Sequence, residues 1–138
     1  MATKPPTRLP ETGPLPRPGT PDEAREVLRA EAFPAPVVQV VTLTATEFTA
    51  ICPRTGQPDF GTVTVEYEPG ERCLESKALK YYLWSYRDQG AFCETLAARI
   101  ADDVVYAVTP RRVTVRVTQN VRGGIAIVAV AERRGDER

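Results

Sequence analysis

The chain is expected to fold as an α+β domain, a four-stranded antiparallel sheet with two helices inserted between its second and third strands. Three observations lead there. Segments rich in β-branched residues occur in two pairs, at 37–48 and 62–68 and at 112–118 and 124–131. Between the pairs, apolar residues recur at helical rather than strand spacing. Gly and Pro fall at the junctions, where a strand or helix has to end.

The first strand, VVQVVTLTATEF (37–48), is dominated by Val and Thr, which pack well on a pleated surface. The loop ICPRTGQPDFG (51–61) follows, with Pro53, Gly56 and Pro58 as turn residues. TVTVEYE (62–68) places Val63, Val65 and Tyr67 on one face, and Pro69-Gly70 ends it. Leu79, Tyr82, Leu83 and Tyr86 stand at i, i+3, i+4 and i+7, one stripe of a helix that Gly90 is placed to stop. Phe92, Leu96, Ile100 and Val104 step by four along a second helix, which ends before Pro110. RVTVRVT (112–118) alternates Val113, Val115 and Val117, and Asn120–Gly124 turns the chain. GIAIVAVA (124–131) is an unbroken apolar run, which predicts a strand buried on both faces, with another subunit as a candidate cover.

Nine of the 13 prolines lie in the first 36 residues. Proline lacks a backbone donor and fixes φ, so residues 1–36 read as a proline-rich, partly disordered tail. Within it PDEAREVLRAEA (21–32) forms a short helix starting at Pro21. The domain proper is expected over 37–132, with a charged tail over 133–138. A four-stranded sheet of this kind has two open edges, which favours oligomerisation through them.

Composition excludes several classes. The 138 residues fit one domain, and the 42% hydrophobic fraction is enough for a core. Lys and Arg equal Asp and Glu at 18 each, whereas a nucleic-acid binder needs a basic excess. The first residues lack a signal-peptide run, and no stretch approaches the roughly 18 apolar residues of a membrane span. Three widely spaced cysteines do not make a disulfide framework, so the chain reads as cytoplasmic. With no histidine, His-based triads and His-containing zinc sites are excluded.

The chemistry is concentrated in the 51–61 loop, where the turn residues can fold Cys52 back towards Asp59. Two readings stand side by side there: a small buried thiol beside a turn aspartate, or a nucleophile helped by a carboxyl group. A thiol with its ordinary pKa of about 8.5 is only slightly ionised at neutral pH, so the second reading requires activation.

The stretch FTAICPRTGQPDFGTVTVEYEP (48–69), followed by ESKALKYYLWSYRDQGAFCE (75–94), resembles the unimodular QueF-type nitrile reductases, the 7-cyano-7-deazaguanine reductases. The Cys-Pro-x-Thr-Gly-Gln-Pro-Asp loop matches from Cys52 to Asp59. The family's Glu-Ser-Lys motif stands as Glu75, Ser76, Lys77, Ala78, Leu79, Lys80 and Tyr81, and its later Arg-Gly-Gly turn as Arg122, Gly123 and Gly124. The likeness runs from Glu47 to about Ile127. It implies the tunnelling fold (T-fold), pentameric rings stacked as a homodecamer, and sites between subunits.

The resemblance also implies roles. Cys52 attacks the nitrile carbon of a purine-like substrate to give a thioimidate, Asp59 supplies a proton, and NADPH delivers two hydrides. Glu94 anchors the purine-like edge, with Leu74, Glu75, Ser76 and the position of Cys93 also lining the pocket. Lys77, Lys80 and Arg122 are the candidates for NADPH, since no G-x-G-x-x-G opens a helix here. Tyr81, Tyr82, Trp84 and Tyr86 read as packing, as does Cys73. Cys93 departs from the family's usual His, and a thiol makes a weaker polar contact. If it shares a pocket with Cys52, a reversible disulfide between them is a further hypothesis. A zinc-dependent cyclohydrolase of the same fold fails for want of histidine; a non-catalytic purine-binding oligomer is the alternative of another class.

Overall fold

The structure, a computed structural model, describes residues 7–135. Its elements are α1 (Pro21–Glu31), β1 (Phe33–Pro34), β2 (Val41–Ile51), β3 (Pro58–Glu68), β4 (Arg72–Cys73), α2 (Ser76–Trp84), α3 (Cys93–Val108), β5 (Arg112–Arg122) and β6 (Ile125–Arg134). The four long strands form an antiparallel sheet in the order β2-β3-β5-β6, and β1 pairs with β4 beside it. The helices cover one face, towards which Val63, Val65 and Tyr67 of β3 and Val113, Val115 and Val117 of β5 are buried. A bulge between Ala45 and Phe48 shifts the alternation of β2, so that Phe48 and Ala50 carry its buried face onward to the loop.

Several elements differ from expectation. The first strand starts at Val41 rather than Val37, and the strands flanking the two loops run further than expected, to Ile51, from Pro58 and to Arg122. Ile51 in register with Pro58, and Arg122 with Ile125, carry the hairpins almost to their tips. Helix α2 stops at Trp84, not at Gly90, because the Ser85 hydroxyl donates to the Tyr82 carbonyl (2.5 Å) and the chain tightens into successive turns. Tyr86 is nevertheless buried, with its hydroxyl 2.6 Å from that of Tyr82. Phe92 caps α3 from outside and is 49% exposed; the buried stripe begins at Cys93.

Within the single chain, strand β6 is buried on one face only. Ala131 points into the core, but Ile125, Val128 and Val130 are exposed, at 66%, 46% and 54%. The two faces differ because this chain supplies helices to only one side of its sheet. β6 also runs to Arg134, so the expected charged tail contributes ladder residues; the last three residues of that tail lie outside those described.

The core extends upstream of Val37. Thr20 caps α1 by accepting from the Glu23 N–H (3.3 Å), Pro21 occupies its first turn, and Ala24, Val27 and Leu28 are buried against α2 and α3. Polar contacts hold the same face: Arg25 pairs with buried Asp103 (3.2 Å) and stacks over the Tyr106 ring, while Tyr106 donates to Glu26 (2.7 Å). Leu9 is buried too, its N–H donating to Glu31 (3.1 Å). Truncating Leu28 to alanine is therefore expected to destabilise the protein by about 2–5 kcal/mol, as for other buried leucines. Denaturant unfolding checks this, and an unchanged midpoint would mean that α1 contributes little to the core.

Candidate active site

Cys52 closes strand β2 and opens a turn that folds around its own sulfur. Its N–H donates to the Gln57 carbonyl and its carbonyl accepts from the Gly56 N–H, both at 2.9 Å. Gly56 adopts the left-handed conformation (φ 73°) that this closure requires. The neighbouring segment clamps the strand end: Ile51 donates to Gln89 (3.0 Å) and accepts from Ala91 (3.1 Å), with Gly90 between them. Any side chain at Gly90 would start 3.4 Å from the Pro53 backbone. Gly90 is thus a docking residue for the Cys52 loop rather than a helix stop.

This turn aims donors at the sulfur. The Thr55 hydroxyl, then the backbone N–H groups of Thr55 and Arg54, and more weakly the Arg122 side chain lower the Cys52 pKa to about 7. Donors to the charged form favour it, and a backbone turn of this kind is an anion cradle. The thiolate is present above that value and lost below it. Alkylation by iodoacetamide is therefore expected to be half-maximal near pH 7, and Thr55→Ala to move the midpoint upward. A midpoint that stays in the ordinary thiol range in the wild type would dispose of the activated turn.

Asp59 starts the inward face of β3 and is only 4% exposed. Arg122, at the end of β5, donates to its Oδ1 (2.5 Å), and Gln119 donates to its Oδ2 (3.4 Å). The same Arg122 donates to Gln119 Oε1 (3.2 Å). Because Arg122 reaches both Cys52 and Asp59, the expected pairing of thiol and carboxyl is realised through a guanidinium. Cys93 lies against this group, fully buried, its S–H directed at the Val117 carbonyl (3.4 Å). Burial, then the Glu94 carboxylate, push the Cys93 thiol up, so it is the less reactive of the two. All three cysteines are free. Glu94 is exposed in the first turn of α3, beside this cluster.

The second group of expected residues lies elsewhere in the chain. Glu75 caps α2, accepting from the Lys77 and Ala78 N–H groups at 3.0 and 2.9 Å. Leu74 is buried, its N–H donating to the Tyr67 hydroxyl (2.8 Å). Ser76 and Lys80 line a groove of about 620 Å³ between β2 and α2, together with Leu79, Leu83, Trp84 and Arg87. Cys52, Asp59, Glu94 and Arg122 are not in its wall. Lys77 does not join Lys80 there, since its ammonium donates to the Pro10 carbonyl (3.1 Å) of the N-terminal segment. Lys80 and Arg87 make no ion pair among the described residues. Two uncommitted cations beside an apolar and aromatic wall fit a phosphate-bearing cofactor with a planar ring.

Sequence reasoning overlooked Thr55 and Gln119. The signal for Gln119 was available: continuing the alternation of Val113, Val115 and Val117 by one step puts residue 119 on the inward face.

Fold and site together define an α+β enzyme of the tunnelling-fold class with an activated thiol on a strand-end turn. Comparison with known proteins narrows this. The family model described as QueF-like protein matches residues 58–138. A relative from Alkalilimnicola ehrlichii, an NADPH-dependent 7-cyano-7-deazaguanine reductase, is 50% identical over 107 residues, 75% of this chain and 83% of that one. Another from Anaeromyxobacter sp. (strain Fw109-5), bearing the same name, is 44% identical over 131 residues, 95% of this chain and 93% of its own. The crystal structure of the archaeosine synthase QueF-Like in the apo form superposes with a TM-score of 0.67 at 30% identity, covering 72% of this chain and 97% of that one. The chain belongs to the QueF-like family.

Proposed function

We propose that this protein is an NADPH-dependent 7-cyano-7-deazaguanine reductase, with Cys52 as nucleophile and Asp59 as proton donor. The observation that carries the reading is the turn that lowers the Cys52 pKa to about 7, sharing Arg122 with a buried carboxyl group, in a chain 50% identical over 107 residues to a reductase of that name. A nitrile carbon is a weak electrophile. Addition of the Cys52 thiolate converts it to a thioimidate, dividing one hard reduction into easier steps. The sulfur bonds to carbon, one C–N π bond breaks, and the electron pair on nitrogen takes the proton of Asp59. Asp59 must be protonated for this, and in that state its carbonyl oxygen can still accept from Arg122. NADPH, when bound, supplies the two hydrides: after the first, the C–S bond breaks to return the Cys52 thiolate and leave an imine, which the second brings to the amine, the other protons being drawn from solvent.

Binding roles follow the geometry. Glu94 is free to accept from the donor edge of a purine-like ring, with Cys93 packed beneath it. Lys80 and Arg87 hold the cofactor phosphates, Ser76 adds a hydroxyl, and Lys77 joins them only if the N-terminal segment releases it. Arg122 serves the Cys52–Asp59 centre, with cofactor contact secondary. Within one chain the groove and the thiol are apart. A neighbouring copy unites them if the open edges β2 and β6 pair between subunits, as the ring-shaped oligomer requires, with the outer apolar side chains of β6 covered in the assembly. No described helix is long and apolar enough to cross a membrane.

The test is NADPH absorbance on addition of 7-cyano-7-deazaguanine. Consumption of two NADPH per nitrile supports the reading. A folded oligomer that binds the purine-like ligand without turnover would instead favour the binding-only alternative.

A further inference from the structure

We propose that Gln119 is a positioning residue for the Asp59 proton donor: its side-chain amide ties Asp59 and Arg122 into one closed ring of hydrogen bonds. The inference rests on the reductase reading above and extends it to a residue outside the matching motifs.

The ring has three bonds. Arg122 Nη1 donates to Asp59 Oδ1, Arg122 Nη2 donates to Gln119 Oε1, and Gln119 Nε2 donates to Asp59 Oδ2. Arginine has only donors and an ionised carboxylate only acceptors, so a side chain bridging the two must offer one of each. An amide does this in a single orientation, with oxygen to Arg122 and nitrogen to Asp59. Gln119 is 5% exposed, and no buried side-chain polar atom among the described residues lacks a partner. It therefore occupies its place as part of the ring.

Backbone architecture supports the same assignment. Gly61 pairs with Gln119 across β3 and β5, two residues along the strand from Asp59 and on the same face. A Cβ at Gly61 would lie 2.2 Å from the Thr118 carbonyl oxygen and 3.2 Å from the Gln119 Cα. The absent side chain lets β5 approach β3 at the point where the amide must reach the carboxylate. Immediately beyond Gln119 the β5–β6 register shifts, and Arg122 re-enters the ladder opposite Ile125. That irregularity brings residues 119 and 122 to one carboxylate, which regular alternation would place on opposite faces.

The groups around Asp59 are few. Gln119 and Arg122 contact it from β5, and Arg122 in turn reaches the sulfur of Cys52 and acts on Cys93, which also feels Glu94. Gln119 touches both Asp59 and Arg122, whereas the sulfur of Cys52 is governed mainly by Thr55 and the turn backbone. The amide donates to the charged form of Asp59, so its removal favours the protonated form. Because the acid must be protonated to act, the limb of the pH profile that Asp59 sets then moves to higher pH.

The experiment is the pH profile of kcat/KM for NADPH-linked nitrile reduction in wild type, Gln119→Leu and Gln119→Glu, with the pH profile of Cys52 alkylation as companion. Gln119→Leu is expected to move upward, by about one pH unit, the limb that does not coincide with the Cys52 alkylation midpoint. Gln119→Glu, similar in shape but with a like charge facing Asp59, is expected to move it further. The Cys52 alkylation midpoint stays in place in both. A lowered rate with both limbs unmoved, or a larger shift for leucine than for glutamate, overturns the assignment and leaves the reductase reading standing. A wild type that does not consume NADPH removes both together. Should Gln119→Glu fail to assemble, Gln119→Leu decides alone, since it introduces no charge and its limb either moves or does not.

Discussion

Cys52→Ala is expected to abolish NADPH consumption, by at least about 10⁴-fold in kcat, without loss of fold. The magnitude follows from losing a covalent nucleophile: the remaining groups can still bind and orient the nitrile but cannot form the thioimidate. The fold survives because Cys52 belongs to no buried cluster and its two backbone bonds, to Gln57 and Gly56, do not involve the thiol. Intact-mass measurement adds a second readout. Wild-type protein given nitrile without NADPH gains the mass of the substrate, and the alanine variant does not. Turnover within tenfold of wild type would rule out covalent catalysis at this residue.

Asp59→Asn is expected to lower kcat by roughly 10²–10⁴-fold, the range for loss of a positioned general acid. Asparagine keeps the shape and can still accept from Arg122, so the hairpin formed by β2 and β3 is retained. It cannot release a proton to nitrogen. The variant should still alkylate at Cys52, with a midpoint near the wild-type value, because the Thr55 hydroxyl and the turn N–H groups dominate there. Retained alkylation with lost turnover places the defect at proton delivery. Loss of both together would show instead that Asp59 holds the loop.

These results bear on how much the chain discloses before it folds. The four long strands, the two inserted helices and the Cys52–Asp59 loop are local matters: β-branched alternation, helical spacing and turn residues within a dozen positions specify them, and motif order identifies the family. Boundaries were less legible, because strand ends depend on what pairs with them. Ile51 stays extended because Gln89 and Ala91 bond its backbone while Pro58 lies opposite, and Arg122 because Ile125 lies opposite it. Helix α1 was legible as a helix, but its burial was not, since prolines around Val27 and Leu28 resemble those of an unstructured tail until α2 and α3 supply a surface.

The amino-acid order alone therefore determined the kind of fold and the residues able to do the chemistry, because propensity and spacing act over short distances. Only tertiary structure decided which of those residues meet. It brought Arg122 to Asp59 and Cys52 across 63 and 70 positions, added Gln119 to them, and sent Lys77 to Pro10 while leaving Lys80 in the groove. The physical reason is that contacts between distant strands are set by register, by a bulge in β5 and by the missing side chain of Gly61, none of which is a property of any single segment.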